Sequence, residues 1–142
     1  MNESFYVFSK STDLKNIHEQ NSGANFRVDL PETKFLNGEE YEVALMEITF
    51  DKPITIRSDV ILLLDIVKES VCSGRNLRLL RRIPFQCYRY WNYIIYQKPL
   101  YMPITHTKIS TFSITMLEEE TLNQIPINRE PISVLLHFRP KK

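Results

Sequence analysis

The sequence predicts an all-β chain: an antiparallel β-sandwich, of the single jelly-roll kind, with about eight strands. Three observations predict it. Apolar residues recur with a period of two in segment after segment. Prolines and turn dipeptides cut the chain into pieces too short for ordinary helices. The strand-like runs also follow one another without the strand–helix alternation of a parallel α/β fold. With 142 residues, 43% of them hydrophobic and 25% charged, the chain has globular composition and is expected to form one domain over residues 1–142.

Taken in order, Phe5, Tyr6, Val7 and Phe8 form a short aromatic strand. In residues 25–30, Phe26, Val28 and Leu30 share one face and Asn25, Arg27 and Asp29 the other, until Pro31 ends the run. Asn37 and Gly38 signal a tight turn leading into residues 41–50 (YEVALMEITF). That run, residues 59–67 (DVILLLDIV) and residues 91–96 (WNYIIY) are apolar on both faces, as in central strands or strands with a second packed surface. Of Tyr93 and Tyr96, on opposite faces of one strand, at least one is expected to meet the core. Residues 110–116 turn Phe112, Ile114 and Met116 inward, and residues 131–138 turn Ile132, Val134, Leu136 and Phe138 inward. His137 then alternates outward, onto a sheet surface or an interface. Residues 11–20 open with capping chemistry and read equally as a short helix or a loop. Residues 116–123 read as a solvated turn between strands rather than a helix, because Pro126 follows.

The chemistry of sites is sparse. Gly23, Gly38 and Gly74 lie too far apart for a phosphate-binding loop. His18, His106 and His137 fall on separate elements, and Cys72 and Cys87 form no CxxC pair, so neither a metal nor another cofactor is expected. The two cysteines read as free thiols, with one disulfide as the alternative. No GxSxG elbow occurs, and the carboxylate runs at Glu39 and Glu118 sit in turn-like contexts, so the chain is not expected to be an enzyme. The longest aliphatic run, residues 60–64, is far short of a membrane span, and the N-terminus lacks a signal-peptide pattern; the expectation is a protein made soluble inside the cell, with no membrane partner.

One asymmetry stands out. No acidic residue occurs between Ser70 and Leu117, a window holding Arg75, Arg78, Arg81, Arg82, Arg89, Lys98 and Lys108 beside Tyr88, Tyr90, Trp91, Tyr93, Tyr96 and Tyr101. Arginine with tyrosine and tryptophan is the composition of protein-interface hot spots. It also suits single-stranded nucleic acid, which the formal net charge of +1 argues against. Several of these aromatics are simply expected in the core. The candidate assembly interface is Arg75, Arg78, Arg81, Arg82, Tyr88, Tyr90, Trp91, His137 and Arg139.

A family resemblance spans most of the chain. The segments SFYVFSKS and ANFRVDLPETKFLNGEEYEVALMEITFDKP resemble the N-terminal part of the penton, or minor capsid, proteins of Polinton (Maverick) elements and adintovirus-like viruses. Asn25, Phe26, Leu30 and Pro31 match its "NF…LP" segment. Gly38, residues 42–45, Glu47, Ile48 and Pro53 match its "G-x-x-EVAL-x-EI" strand and following proline. Asp65, Ile66, Gly74, Leu79, Leu80, Arg81 and Pro84 match its "DI(I/V)…G…LLR…P" stretch. Pro99, Tyr101 and Pro103 match "P-x-Y-x-P(V/I)", and Val134, Leu136, His137, Phe138 and Arg139 match the "V-x-LHFR" ending. The link between Phe50 and Asp59 is short for the family, so the chain resembles a shortened member with a strand or two of the roll reduced or missing. The resemblance implies a single jelly roll and a structural role at an icosahedral vertex of the virion. It implies a homopentamer that contacts a double-jelly-roll major capsid protein. A jelly-roll module repurposed to bind protein, glycan or single-stranded nucleic acid, without a capsid role, is the alternative.

Overall fold

The computed structural model describes residues 3–13, 21–22, 24–36, 38–50, 58–72, 74–84, 93–125 and 132–141. The strands are β1 (Phe5–Lys10), β2 (Asn25–Phe35), β3 (Tyr41–Phe50), β4 (Val60–Leu64), β5 (Ser70–Cys72), β6 (Arg75–Leu77), β7 (Leu79–Ile83), β8 (Tyr93–Ile95), β9 (Met102–Pro103), β10 (Lys108–Glu118) and β11 (Ile132–Pro140). All pairings between them are antiparallel.

The first sheet runs β1-β11-β3-β8, with β9 also on β3; the second runs β2-β10-β4-β7. Early strands thus flank late ones in both sheets, and successive strands β1 to β4 alternate between the sheets, as do β10 and β11. That wrapped order is a jelly roll, and both four-strand rows of the roll are filled. No strand of the roll is missing; β8, with three residues, is the short one. β5 and β6 pair only with each other and form a separate hairpin between β4 and β7.

The core is the space between the two inner faces. Val43, Leu45, Ile48, Val134, Leu136 and Phe138 from the first sheet meet Phe26, Val60, Leu62, Leu64, Phe112, Ile114 and Met116 from the second. Their alternation is the pattern legible in the sequence, and the inward residues foreseen on β10 and β11 are all buried. Leu30 packs against the core only partly.

Two runs that look apolar on both faces have different causes. In β3, Leu135 of β11 faces Glu47 but Leu136 faces Leu45, so Met46 is the extra residue of a β-bulge. The bulge switches phase: Tyr41, Val43 and Leu45 point inward before it, Ile48 and Phe50 after it, and Glu42, Ala44, Glu47 and Thr49 outward. β3 is thus an amphipathic strand in two phases. In β4 the outward Ile61 is itself fully buried, beside Leu117 and across from Arg82, so this central strand is covered on both sides. β8, read as a central strand or one with a second packed surface, is at the edge of the first sheet.

Pro31 does not end β2, but it lies where the ladder breaks. β10 pairs with β2 up to Asp29, then skips to Lys34 and Phe35. Proline has no N–H to offer a ladder, so the interruption falls around it. Gly38 takes φ +76, the left-handed region that favours glycine, where the chain passes from the second sheet to the first. Its turn partner Asn37 lies outside the described residues. β10 continues to Glu118 and the chain turns at residues 119–121, so the carboxylate run is the turn expected there. Residues 14–20, most of the helix-or-loop segment, lie outside the described residues.

The Phe112 ring stands 6.0 Å from the Phe138 ring across the sandwich. Phe112→Ala should cost about 3–5 kcal/mol of stability through the cavity it leaves. Tyr93→Ser, on the outer face, should change stability by less than about 0.5 kcal/mol. Urea unfolding midpoints of the two variants check the contrast.

Candidate interaction surface

The outer faces of the two sheets differ in kind. On the second, the threonine hydroxyls foreseen to point outward from β10 are satisfied locally. Thr111 Oγ1 donates to Asp29 Oδ1 at 2.9 Å, Thr115 Oγ1 donates to Asn25 Oδ1 at 3.2 Å, and Arg27 Nε donates to Thr111 Oγ1 at 3.0 Å. The Ser113 amide donates to Asp65 Oδ1 at 2.9 Å. Along β2 and β10 this face is polar and paired within itself; beside β4 it is apolar, where Ile61 lies buried next to Leu117.

The outer face of the first sheet is aromatic. Its registers place Tyr6 beside His137 and His137 beside Ala44; the next row is Phe8, Leu135, Glu47 and Ile95; the next is Lys10, Ser133, Thr49 and Tyr93. Tyr6, Phe8, Tyr93 and Ile95 are each more than half exposed. Tyr6 and Phe8 stand together on one edge strand and Tyr93 and Ile95 on the other, with β11 and β3 between them; exposed apolar side chains paired in this way, rather than scattered singly, mark an interaction surface. Glu47 has no ion-pair partner among the described residues.

His137 anchors one end of this face. Tyr6 stacks on its ring with centroids 4.4 Å apart, and Nδ1 lies 2.8 Å from the Tyr101 hydroxyl. The Arg139 guanidinium caps the Tyr101 ring at 3.4 Å and lies 3.7 Å from Glu42. Burial and the positive charge of Arg139 hold the His137 imidazole below its usual pKa of 6.5. His137 and Arg139, two of the residues singled out in the sequence, therefore do come together, with Tyr6, Tyr101 and Glu42 as neighbours that composition gave no reason to choose.

The other arginines separate. Arg78 Nη1 donates to the Val67 carbonyl at 2.7 Å, and its other nitrogen lies 3.8 Å from Glu69. Arg82 bonds Asp59 and reaches Glu119 through Nε at 3.1 Å; the hydrogen bond to Glu119 leads the effects that raise its pKa. Arg81 lies over the Tyr96 ring at 3.9 Å. Arg75 is exposed on the β5–β6 hairpin. The acid-free window is thus met by acids just outside it: the asymmetry in sequence becomes cross-strand ion pairing in the fold. Of the window's tyrosines, Tyr93 points outward and Tyr96 packs against the core, as expected. Cys72 is a half-buried free thiol. Tyr88, Tyr90, Trp91 and Cys87 lie outside the described residues.

No protein-family model and no curated protein sequence matches the chain. Among solved structures it is similar to the NLP-core of Drosophila, a structure described as informing pentamer formation and histone binding. The TM-score is 0.41 and the identity 7%, over 99% of each chain. It is also similar to the VP2 subviral particle of infectious bursal disease virus, at TM-score 0.25 and 8% identity, over 96% of this chain and 37% of that one. Neither superposition is close enough to bear on this chain, whose fold stands on its own strand order.

Two outcomes check the surface. Because folded His137 resists protonation while the unfolded chain takes the proton near pH 6.5, its contribution is intact above that pH and is lost as pH falls through and below it. Urea midpoints at about pH 7.5 and about pH 5.5 should therefore differ more for the wild type than for His137→Gln. Arg82→Glu should lower stability by about 1 kcal/mol or more, by placing three acids together. Arg75→Glu should leave the midpoint unchanged.

Proposed function

We propose that this chain is a structural, non-catalytic jelly-roll subunit of the penton type. It self-associates into a closed ring of five at an icosahedral capsid vertex and contacts a double-jelly-roll major capsid protein. The observation that carries the reading is the aromatic outer face of the first sheet, whose rings stay exposed among the described residues while the inner faces of both sheets are buried against each other. A face of that kind loses water-exposed apolar area only by meeting another surface.

The sequence resemblance supports the finer part. Its segments fall on the framework of the roll: "EVAL-x-EI" on β3, "LLR" on β7, "P-x-Y-x-P" at β9 and "V-x-LHFR" on β11. Two of them supply Tyr101, His137 and Arg139 to the exposed face. A heterologous contact, in which one patch meets a different patch on the next copy, closes into a ring when its rotation is five-fold. In this reading the protein is made soluble and ends in the virion, and its arginines serve the fold and the contact rather than a genome.

Light scattering on a sizing column tests it. Five copies of 16.8 kDa give 84 kDa (5 × 16.8), the mass expected for the ring. A 16.8 kDa species at every concentration would overturn ring formation by the chain alone and favour a monomeric binding module.

A further inference from the structure

The two edges of the first sheet are built alike. At β1, the Ser11 amide donates to the Ile132 carbonyl at 2.8 Å, in register with the ladder to β11. Hydrogen-bonded pairs alternate along an antiparallel ladder, so Ser9, Val7 and Phe5 also turn their N–H and C=O groups toward β11. Those of Tyr6, Phe8 and Lys10 point away from the sheet. Lys10 is closed by its own turn: its amide donates to Asp13 Oδ2 at 3.0 Å, and its carbonyl accepts from the Asp13 amide at 2.9 Å. Tyr6 and Phe8 keep open backbone groups among the described residues. At β8, the Tyr96 amide donates to the Met46 carbonyl at 2.9 Å, so Tyr96 and Ile94 serve β3. Tyr93 and Ile95 therefore turn their N–H and C=O groups out from the other edge.

These same residues, Tyr6, Phe8, Tyr93 and Ile95, carry the exposed side chains of the outer face. On the inner side, Phe5 and Val7 at one edge and Ile94 and Tyr96 at the other are only partly buried. The edges of the second sheet are guarded: β2 carries Pro31 with Asp29, Glu32 and Lys34, and β7 carries Arg81 and Arg82. β1 and β8 have no proline and, in Lys10, a single charge. Just outside them, Glu3 precedes β1 and Lys98 follows β8; both are exposed, without an ion-pair partner among the described residues.

We propose that β1 of one copy adds to β8 of the next as an antiparallel strand, so that the first sheet runs on from subunit to subunit. Tyr6 pairs with Ile95 of the next copy and Phe8 with its Tyr93. Each pair exchanges both N–H···O bonds, and the exposed side chains become cross-strand neighbours. On the inner side Phe5 meets Tyr96 and Val7 meets Ile94, so the half-buried residues of each edge cover those of the other. The same register brings Glu3 and Lys98, opposite charges, to one end of the ladder. Strand direction fits as well. Along β1-β11-β3-β8 each neighbour reverses, so β1 and β8 run opposite ways, and a rotation about an axis along the strands preserves those directions. The contact is heterologous, one edge to the other, and rests on the self-association proposed above, to which it assigns the surfaces. Main-chain bonds fix the register, and removing apolar area from water adds attraction.

Proline substitution and mixing test it. Phe8→Pro removes an outward N–H that β11 does not use and sets a ring in the path of the ladder; Ile95→Pro does the same at the other edge. Each variant alone should run at 16.8 kDa. Mixed in equal amounts, one sound β1 can seat on one sound β8 and growth stops there, so the mixture should run at 33.6 kDa (2 × 16.8). Thermal melts establish that both variants fold; a charge swap that leaves the strands untouched decides the matter if either does not. In that swap Glu3→Lys and Lys98→Glu should each weaken assembly, and the double variant should restore it. An assembly of wild-type mass in Phe8→Pro overturns the ladder and leaves ring formation standing. So does Ile95→Pro running alone at 33.6 kDa, the result of β1 pairing with itself, or a charge-swapped double variant no better than the single ones. A wild-type chain that is monomeric at every concentration overturns both.

Discussion

The insertion of the last strands into the middle of the sheets is the constraint on which everything else depends. β11 lies between β1 and β3, and β10 between β2 and β4. Until residues 108–140 arrive, neither β1 nor β2 has a neighbour, and neither sheet has a continuous inner face. The pairs that complete the roll are long-range: Phe5 meets Phe138, and Phe26 meets Ile114. Bringing such residues together costs loop entropy before any contact repays it, so folding is cooperative and slow for its length. It is fitting that β10 and β11 carry regular alternation, since their inner residues touch both neighbours in the sheet and the facing sheet as well. The bulge at Met46 serves the same end. Without it, a single phase along β3 would turn Ile48 and Phe50 outward, away from Ile132 and Val134.

Once the inner faces are committed to one another, the outer faces are free to differ, and they do. On the second sheet's outer face Thr111 and Thr115 find partners across the strand pair in Asp29 and Asn25, and Arg82 closes its end against Asp59 and Glu119. The first sheet places rings where the second places hydroxyls. Its own polar network, Glu42 to Arg139 to Tyr101 to His137, occupies one border and leaves Phe8 and Ile95 to meet water. The neutral imidazole belongs to that arrangement. A protonated ring beside Arg139 would repel it.

How much of this was legible follows from where each signal resides. The sandwich and its inward residues were readable because period-two alternation is local. The outward turn of His137 came from the same count. The bulge was not readable: a phase switch at Met46 imitates a strand apolar on both faces, and only the partner strand tells the two apart. The partners of the basic cluster were hidden for a related reason. Arg82 finds Asp59 and Glu119 far away in sequence, so a window scanned alone counts cations and misses the anions that fold against them. The hairpin escaped because three-residue strands carry too little periodicity, although the Ser73–Gly74 dipeptide was a turn signal that could have located it. The aromatic face had a fainter trace in Phe5, Tyr6, Val7 and Phe8, apolar on both sides of a strand that ends at a sheet edge.

That trace leads to the last step. β1 is an edge strand, and its outward residues could be polar without loss to the core, since Tyr6 and Phe8 contribute nothing between the sheets. Edge strands of isolated domains carry charge or proline to resist unwanted pairing, whereas β1 offers Lys10 alone beside two exposed rings. A lone subunit bears the risk of such a surface without gain. A subunit that self-associates, as proposed, turns it to use: the same rings that invite indiscriminate contact supply the attraction, and polar groups beside them must supply the register, since rings have none of their own.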